Sequence, residues 1–224
     1  MSDSDLPAAT EDYLKVIWTS QEWSDEPISS RGLAERIGHS PSTVSETLKR
    51  LTAQGLVDHE RYGAVALTEQ GRAVALAMVR RHRLIETFLV DYLGYGWHEV
   101  HDEAEVLEHA VSDAFVERLA ERLGHPERDP HGDPIPTAGG HVPTLRATCL
   151  EEVAAPATVR VARVSDADPD LLQYLTDTGV GLDAVLTVVE RRDFAGTLAV
   201  RVDGRDLDLG LPAARALFVV PAQA

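Results

Sequence analysis

Apolar residues recur at helical spacing from the start of the chain to about Leu123 and at strand spacing after about Val159, so the hydrophobic period itself divides the sequence. Residues 8 to 23 carry Tyr13, Leu14, Ile17 and Trp18 on one face and predict an amphipathic helix. From Ile28 the pattern gives a short helix with Leu33, Ala34 and Ile37 inward, a turn at Gly38, and a second helix with Val44, Leu48 and Leu51 inward. That second helix opens at Ser40-Pro41, a cap residue followed by proline at the first helical position. Helix, short glycine-containing turn, helix is helix-turn-helix spacing. The run from Gly55 to Thr68 then predicts two short strands joined around Arg61-Tyr62-Gly63, with Thr68 capping a new helix at Glu69-Gln70-Gly71. A hairpin directly behind the second helix makes the module a winged helix-turn-helix, whose exposed second-helix face enters the major groove while the wing lies on the backbone.

Residues 72 to 124 predict two long helices. The first runs through Ala73, Leu76, Val79, Leu84, Ile85, Phe88 and Leu89, the second from about Val100 to Leu123. So much apolar helix surface exceeds what one small domain can bury and suggests a dimer interface. Residues 124 to 143 hold Pro126, Pro130, Pro134, Pro136 and Pro143 and read as a linker. Beyond it, Val159–Val164, Ala184–Glu190, Thr197–Val202 and Ala216–Val220 read as short strands of a small β-barrel. The expected class is α+β, with a winged helix-turn-helix at 1–73, a helical dimerisation domain at 74–144 and a small β-barrel domain at 145–224.

Composition adds mainly exclusions. An apolar content of 44% with 26% charged residues in 224 residues describes a folded globular chain rather than a disordered one. No run of about eighteen apolar residues is present and the first residues are acidic and polar, so a cytoplasmic location without membrane span or secretory signal is expected. The single Cys149 excludes an intrachain disulfide framework. A formal charge of −16 argues against a nucleic-acid partner until its distribution is considered. Acid concentrates in residues 1–26 and 151–224, whereas Arg31, Arg36, Lys49, Arg50 and Arg61 face few carboxylates in the winged segment. The expected DNA-facing set is Arg31, Ser40, Ser42, Thr43, Ser45, Glu46, Lys49, Arg50 and Arg61, on double-stranded DNA.

The candidate chemistry lies in His101-Asp102-Glu103-Ala104-Glu105-Val106-Leu107-Glu108-His109. Helical spacing puts Glu105, Glu108 and His109 on one face, with His101 one turn upstream. Carboxylates so placed repel unless a cation sits between them, and the imidazole adds a neutral donor, so a divalent metal ion resolves the conflict. A solvated acidic face is the bland alternative. Against it stands a second metal-type pair, His82 and Glu86, at i and i+4 on the preceding helix.

The chain resembles the diphtheria toxin repressor family of metal-activated transcriptional repressors, and within it the manganese transport regulators. The resemblance rests on Thr10-Glu11-Asp12-Tyr13-Leu14, the winged segment from Leu51 to Gly71, Arg81-His82-Arg83-Leu84-Ile85-Glu86, residues 100–109, and Asp129-Pro130-His131-Gly132-Asp133-Pro134-Ile135-Pro136. It implies an SH3-like third domain, a homodimer on operator DNA and two metal sites. Carried over by residue, the primary site is Asp12, Glu105, Glu108 and His109, and the ancillary site is His82, Glu86 and His101, with Asp168 or Asp170 as third-domain ligand. Iron-responsive members present Met and Cys where this chain has Asp12 and Glu105, and exchanging sulfur for oxygen donors favours a harder ion such as Mn²⁺, with Fe²⁺, Co²⁺ or Zn²⁺ as substitutes. Lys15 stands where the smaller two-domain manganese regulators place a second carboxylate, a departure from a binuclear site of their kind.

Three other readings compete: an iron sensor of the same family, a winged-helix regulator of an organic ligand, and a zinc peptidase, which the replacement of the first His of H-x-x-E-H by Glu105 disfavours. No enzyme activity and no organic cofactor are expected. Trp18, Trp23 and Trp97 are expected in a core or interface, and His39, His59, His125, His131 and His141 at the surface or in loops.

Overall fold

The computed structural model describes residues 6–22, 27–59 and 63–222. Trp23, Arg61 and the turn residue Tyr62 lie outside the described residues. The chain divides into two compact units, residues 1–82 with 136–141, and residues 83–135 with 142–224.

In the first unit, helix α1 (Ala8–Ser20) buries Tyr13, Leu14, Ile17 and Trp18, the predicted face. Helix α2 (Ser30–Ile37) is capped by Ser29, which accepts from Gly32 N, and it ends on Gly38 at φ +71°, a left-handed position that suits glycine. Helix α3 (Pro41–Ala53) starts as its sequence predicts, with the Ser40 side chain accepting from Thr43 N and Pro41 in the first turn. Val44, Leu48 and Leu51 are fully buried, and the opposite face is polar. Burial of each such side chain is worth roughly 1.5–3 kcal/mol. Strands β1 (Val57–His59) and β2 (Val65–Leu67) pair antiparallel with Val57 opposite Leu67 and His59 opposite Val65. Thr68 then both donates to Gly55 O at 2.7 Å and accepts from Gly71 N at 3.0 Å, fixing the start of helix α4 (Glu69–Leu93) on the wing. Gly71 is required there, because a Cβ would strike the Leu56 carbonyl. Segment 136–141 belongs to this unit, held by Arg80 Nη1 donating to Pro136 O at 3.1 Å.

The second unit takes in the later turns of α4, helix α5 (Val100–Glu108) and helix α6 (Asp113–Leu123). Leu84, Ile85, Leu89, Val100, Ala104, Val116, Leu119, Ala120 and Ile135 form its helical core. The single long helix expected from Val100 to Leu123 is two. Ser112 caps α6 by accepting from Phe115 N at 3.3 Å, and that local bond outcompetes continuation of the helix. The proline-rich stretch is not a free linker either. Arg83 Nη1 donates to Pro134 O at 2.7 Å, Ile135 N to Glu127 O, and Asp129, His131 and Asp133 are buried.

The last part of this unit is an antiparallel six-stranded sheet: β3 (Thr148–Cys149), β4 (Ala157–Val164), β5 (Val185–Arg192), β6 (Thr197–Val202), β7 (Arg205–Gly210) and β8 (Leu217–Pro221), ordered β3-β8-β4-β5-β6-β7. Helix α7 (Pro169–Thr178) lies between β4 and β5, and α8 (Leu211–Ala216) between β7 and β8. Register shifts at Val161/Arg163 and Val188/Glu190 mark bulges, the device that bends strands around a core. That core holds Val161, Val164, Leu172, Leu175, Leu186, Val188, Leu198 and Leu217. The pattern of alternation did not give α7, whose apolar residues Leu171, Leu172, Tyr174 and Leu175 fall in one ten-residue stretch, too short for a helical period to stand out.

Candidate metal centre

Helix α5 presents Glu105 and Glu108, with His109 at its C-terminal cap position, so the face read from the sequence exists. Glu108 is fully buried, His109 Nε2 lies 3.5 Å from Glu108 Oε1, and the Glu105 side chain is 38% exposed. His101, one turn before Glu105, has Nε2 3.6 Å from Glu105 Oε1. Its other nitrogen, Nδ1, is 3.4 Å from Glu86 Oε1 and 3.7 Å from Asp166 Oδ2. The His101 imidazole therefore sits among three carboxylates drawn from α4, α5 and the segment after β4.

His131 adds a further donor. One of its ring nitrogens lies within 4.8 Å of carboxylate oxygens of both Glu86 and Asp166. Its Nε2 is 2.7 Å from the Trp97 carbonyl oxygen, and a carbonyl only accepts, so Nε2 carries the proton. Nδ1 is buried and makes no hydrogen bond among the described residues. With the ring neutral and its proton on Nε2, the Nδ1 lone pair has no donor to accept from there. Trp97 and His131 also stack, their centroids 6.0 Å apart, and a cleft of about 260 Å³ lined in part by Trp97, His101, Asp102 and Asp166 opens beside them.

The loop that carries His131 is rigidly made. Asp129 Oδ1 accepts from His131 N and Asp133 N, each at 2.9 Å, and His131 O accepts from Val164 N at 2.8 Å. Gly132 lets the loop press on β4, since a Cβ there would strike the Ala162 carbonyl. Arg83 reaches Asp129 and Asp133, both at 3.5 Å, and Arg163 pairs with Asp133 from β4. Burial, then the neighbouring Asp133 and Glu86 charges, push the Asp129 carboxyl well above the usual range, with Arg83 opposing. A divalent cation fits this environment: buried Glu86, the unreceived Nδ1 of His131 and partly exposed Asp166 offer oxygen and nitrogen but no sulfur.

Asp166 and His131 were missed by sequence reasoning. The third-domain candidates Asp168 and Asp170 are not brought to this cluster: Asp168 is the N-cap of α7, accepting from Asp170 N and Leu171 N at 3.1 and 3.2 Å, and Asp170 is exposed in the first turn. His131 lies in a loop, as expected, but is buried there rather than at the surface. The signal was present in Asp129-x-His131-x-Asp133, where an Asx turn fixes the intervening histidine. In the first unit, Asp12 is half-buried on α1, Lys15 is buried one turn further, and His82 is buried on α4, one turn before Glu86.

On the first unit's surface, Ser40, Ser42, Thr43, Ser45, Glu46, Lys49 and Arg50 are all exposed. Arg31 is exposed and pairs with Glu35 at 2.9 Å, a surface pair that exchanges easily for another anion.

A winged helix-turn-helix, a carboxylate and imidazole cluster on helices, and an SH3-like antiparallel sheet define a metal-dependent transcriptional repressor rather than an enzyme. Known families agree segment by segment. Residues 5–65 match "Iron dependent repressor, N-terminal DNA binding domain", residues 68–137 "Iron dependent repressor, metal binding and dimerisation domain", and residues 148–221 "FeoA domain". The chain is 35% identical to the iron-dependent repressor IdeR of Mycobacterium leprae, over 91% of this chain and 92% of that protein. It is 32% identical to the diphtheria toxin repressor of Corynebacterium glutamicum over 92% of each. A solved structure described as a manganese-dependent transcriptional repressor in complex with manganese superimposes with a TM-score of 0.90 at 58% identity, covering 95% of this chain and all of that one. The manganese regulator SloR gives 0.78 at 36% identity, covering 95% and 98%. The chain belongs to the iron-dependent repressor family, that of the diphtheria toxin repressor.

Proposed function

We propose that the protein is a manganese-responsive repressor that binds operator DNA as a homodimer and controls manganese homeostasis genes. The observation that carries the choice of metal is the donor set, oxygen and nitrogen throughout, with Asp12 and Glu105 where iron-responsive members of the family have sulfur. Carboxylates favour hard ions such as Mn²⁺, while affinity order alone prefers later metals, so geometry and availability complete the selection. Similarity to structures described as manganese-dependent supports the same reading, whereas the relatives named iron-dependent make Fe²⁺ the alternative.

The primary ligands are assigned to Asp12, Glu105, Glu108 and His109. The ancillary ligands are assigned to His82, Glu86 and His101, with Asp166 and His131 as the donors from the third domain and the buried loop. When bound, a divalent ion supplies the positive charge that lets these carboxylates share a site. Without it, Glu105 and Glu108, three residues apart on α5, repel each other, and a bound ion is what ties Asp12 on α1 to them. Asp12 thereby couples the helix that opens the DNA-binding unit to the state of the site. Linkage requires operator DNA to tighten metal by the factor that metal tightens DNA, commonly ~1–3 kcal/mol. Tyr92, Leu93, Val106 and Phe115, large apolar side chains exposed on α4, α5 and α6, are assigned to the homodimer contact.

Fluorescence anisotropy on a promoter fragment tests this at fixed salt, comparing chelator-treated protein with protein given Mn²⁺, anaerobic Fe²⁺ or Zn²⁺. Activation by Mn²⁺ at concentrations where Fe²⁺ acts weakly is the expected result. Equal activation reduces the function to a divalent-metal repressor, and binding indifferent to metal overturns the metal-sensing role.

A further inference from the structure

The Tyr13 hydroxyl lies 3.0 Å from Nδ1 of His39, with the two rings tilted at 41° and their centroids 5.9 Å apart. The residues differ sharply in environment. Tyr13 is 2% exposed in the core of the first unit, whereas His39 is exposed in the turn between α2 and α3. It follows the left-handed Gly38 and precedes Ser40, the N-cap of α3.

A buried phenol places its hydroxyl on a partner, and here the partner is an imidazole nitrogen. Neutral imidazole has one lone pair and one N–H, while a phenol can give or receive. The imidazole lone pair is a much stronger acceptor than a phenol oxygen, so Tyr13 donates, Nδ1 accepts and the ring proton stays on Nε2. The exposed ring is thus held on α1 by one nitrogen and carries a single N–H donor on the other. The residues that follow it are polar: Ser40 Oγ lies 2.8 Å from both Ser42 Oγ and Thr43 Oγ1, and residues 39 to 45 include no carboxylate.

We propose that His39 donates its Nε2–H to a backbone phosphate of bound duplex DNA, and that Tyr13 is the positioning residue that holds the ring for that contact. This rests on the first unit being the DNA-binding unit, as its family match describes it. The contact is between a neutral donor and a phosphate, so it orients the protein on the duplex without reading sequence and without releasing a counterion of its own.

The test compares Mn²⁺-loaded wild type, His39→Leu, His39→Gln, Tyr13→Phe and the double variant Tyr13→Phe/His39→Leu on operator and scrambled duplexes across a salt series. One hydrogen bond of ordinary strength corresponds to roughly three- to tenfold in affinity. His39→Leu is expected to weaken both duplexes by about that factor with the salt slope unchanged, and His39→Gln, which keeps an N–H donor, to recover most of it. Tyr13→Phe removes only an oxygen from a ring that stays packed, and is expected to weaken binding similarly. The double variant is expected to be no worse than His39→Leu alone. Independently of DNA, ¹⁵N NMR of the metal-free protein should show His39 protonated at Nε2, and a mixture of tautomers in Tyr13→Phe. Wild-type affinity in His39→Leu, a loss confined to the operator, or a salt slope lowered by about one overturns the proposal. Failure of wild type to bind any duplex in any metal state instead overturns the DNA-binding reading beneath it.

Discussion

His131 donates Nε2–H to the carbonyl of Trp97 at 2.7 Å, and this bond decides which nitrogen of the ring is free. A proton fixed on Nε2 leaves the lone pair on Nδ1, buried beside Glu86 and Asp166. Asp166→Ala should therefore weaken the ancillary site by about 10- to 100-fold in Mn²⁺ affinity, measured by competition with a chelating dye. The melting temperature of metal-free protein should hardly change, because Asp166 is partly exposed. Asp168→Ala should do the reverse, leaving metal affinity intact and costing about 1 kcal/mol through the lost cap of α7. The opposite pattern would restore the assignment to Asp168.

Glu105 carries the second test. Glu105→Ala should abolish metal-stimulated operator binding while leaving a folded dimer by sedimentation, since its side chain is 38% exposed and its helix is packed through Val100, Ala104 and Glu108. An unaltered metal response in that variant removes Glu105 from the site. Introducing the sulfur donors of iron-responsive members, Asp12→Met with Glu105→Cys, should lower the ratio of Mn²⁺ to Fe²⁺ activation, read by anisotropy under anaerobic conditions.

What the sequence made legible was what depends on neighbours along the chain. The helix starts at Ser40 and Thr68, the turn at Gly38 and the Glu105, Glu108, His109 face each follow from residues within about four positions. The third-domain sheet was legible as alternation, though α7 was not. What escaped depends on bonds between distant residues. Arg83 to Pro134 spans 51 positions, Arg163 to Asp133 spans 30, and His131 to Trp97 spans 34, and no local pattern announces any of them. A proline-rich stretch read alone is a linker. Pinned by two buried arginines, it becomes a wall of the candidate metal centre.

That wall makes the third prediction. Asp133 pairs with Arg163 and Arg83 where all three are nearly inaccessible. Asp133→Ala removes the carboxylate that Arg163 and Arg83 share, with Asp129 still beside Arg83, and breaking a buried pair this way typically costs about 3–5 kcal/mol. Urea unfolding should show a loss of that order. A loss below about 1 kcal/mol would mean that water reaches the network.

Asp183 allows a prediction in which the sign of the pH dependence is the test. Arg128 donates to it through two nitrogens and Arg160 through one at 2.6 Å, and these bonds, Arg128 first, hold its carboxyl below the usual carboxylate range. A depressed native pKa means the folded state prefers the ionised form. The stabilisation is therefore fully present above the unfolded value, about 3.9, and disappears as pH falls through the native one. Asp183→Asn tests this: asparagine keeps the size and tolerates the left-handed backbone at φ +65°, while it removes the charge and puts an NH2 donor in place of one of the two oxygens that accept from Arg128. Near neutral pH the variant should be less stable than wild type, by no more than about 1 kcal/mol because the Asp183 side chain is 45% exposed and water screens the pairs. The gap should close as pH drops below the carboxylate range, and it should shrink in 1 M salt at neutral pH. A gap that persists unchanged into acid would assign the cost to packing or backbone, and the two arginines would then be bystanders rather than the cause.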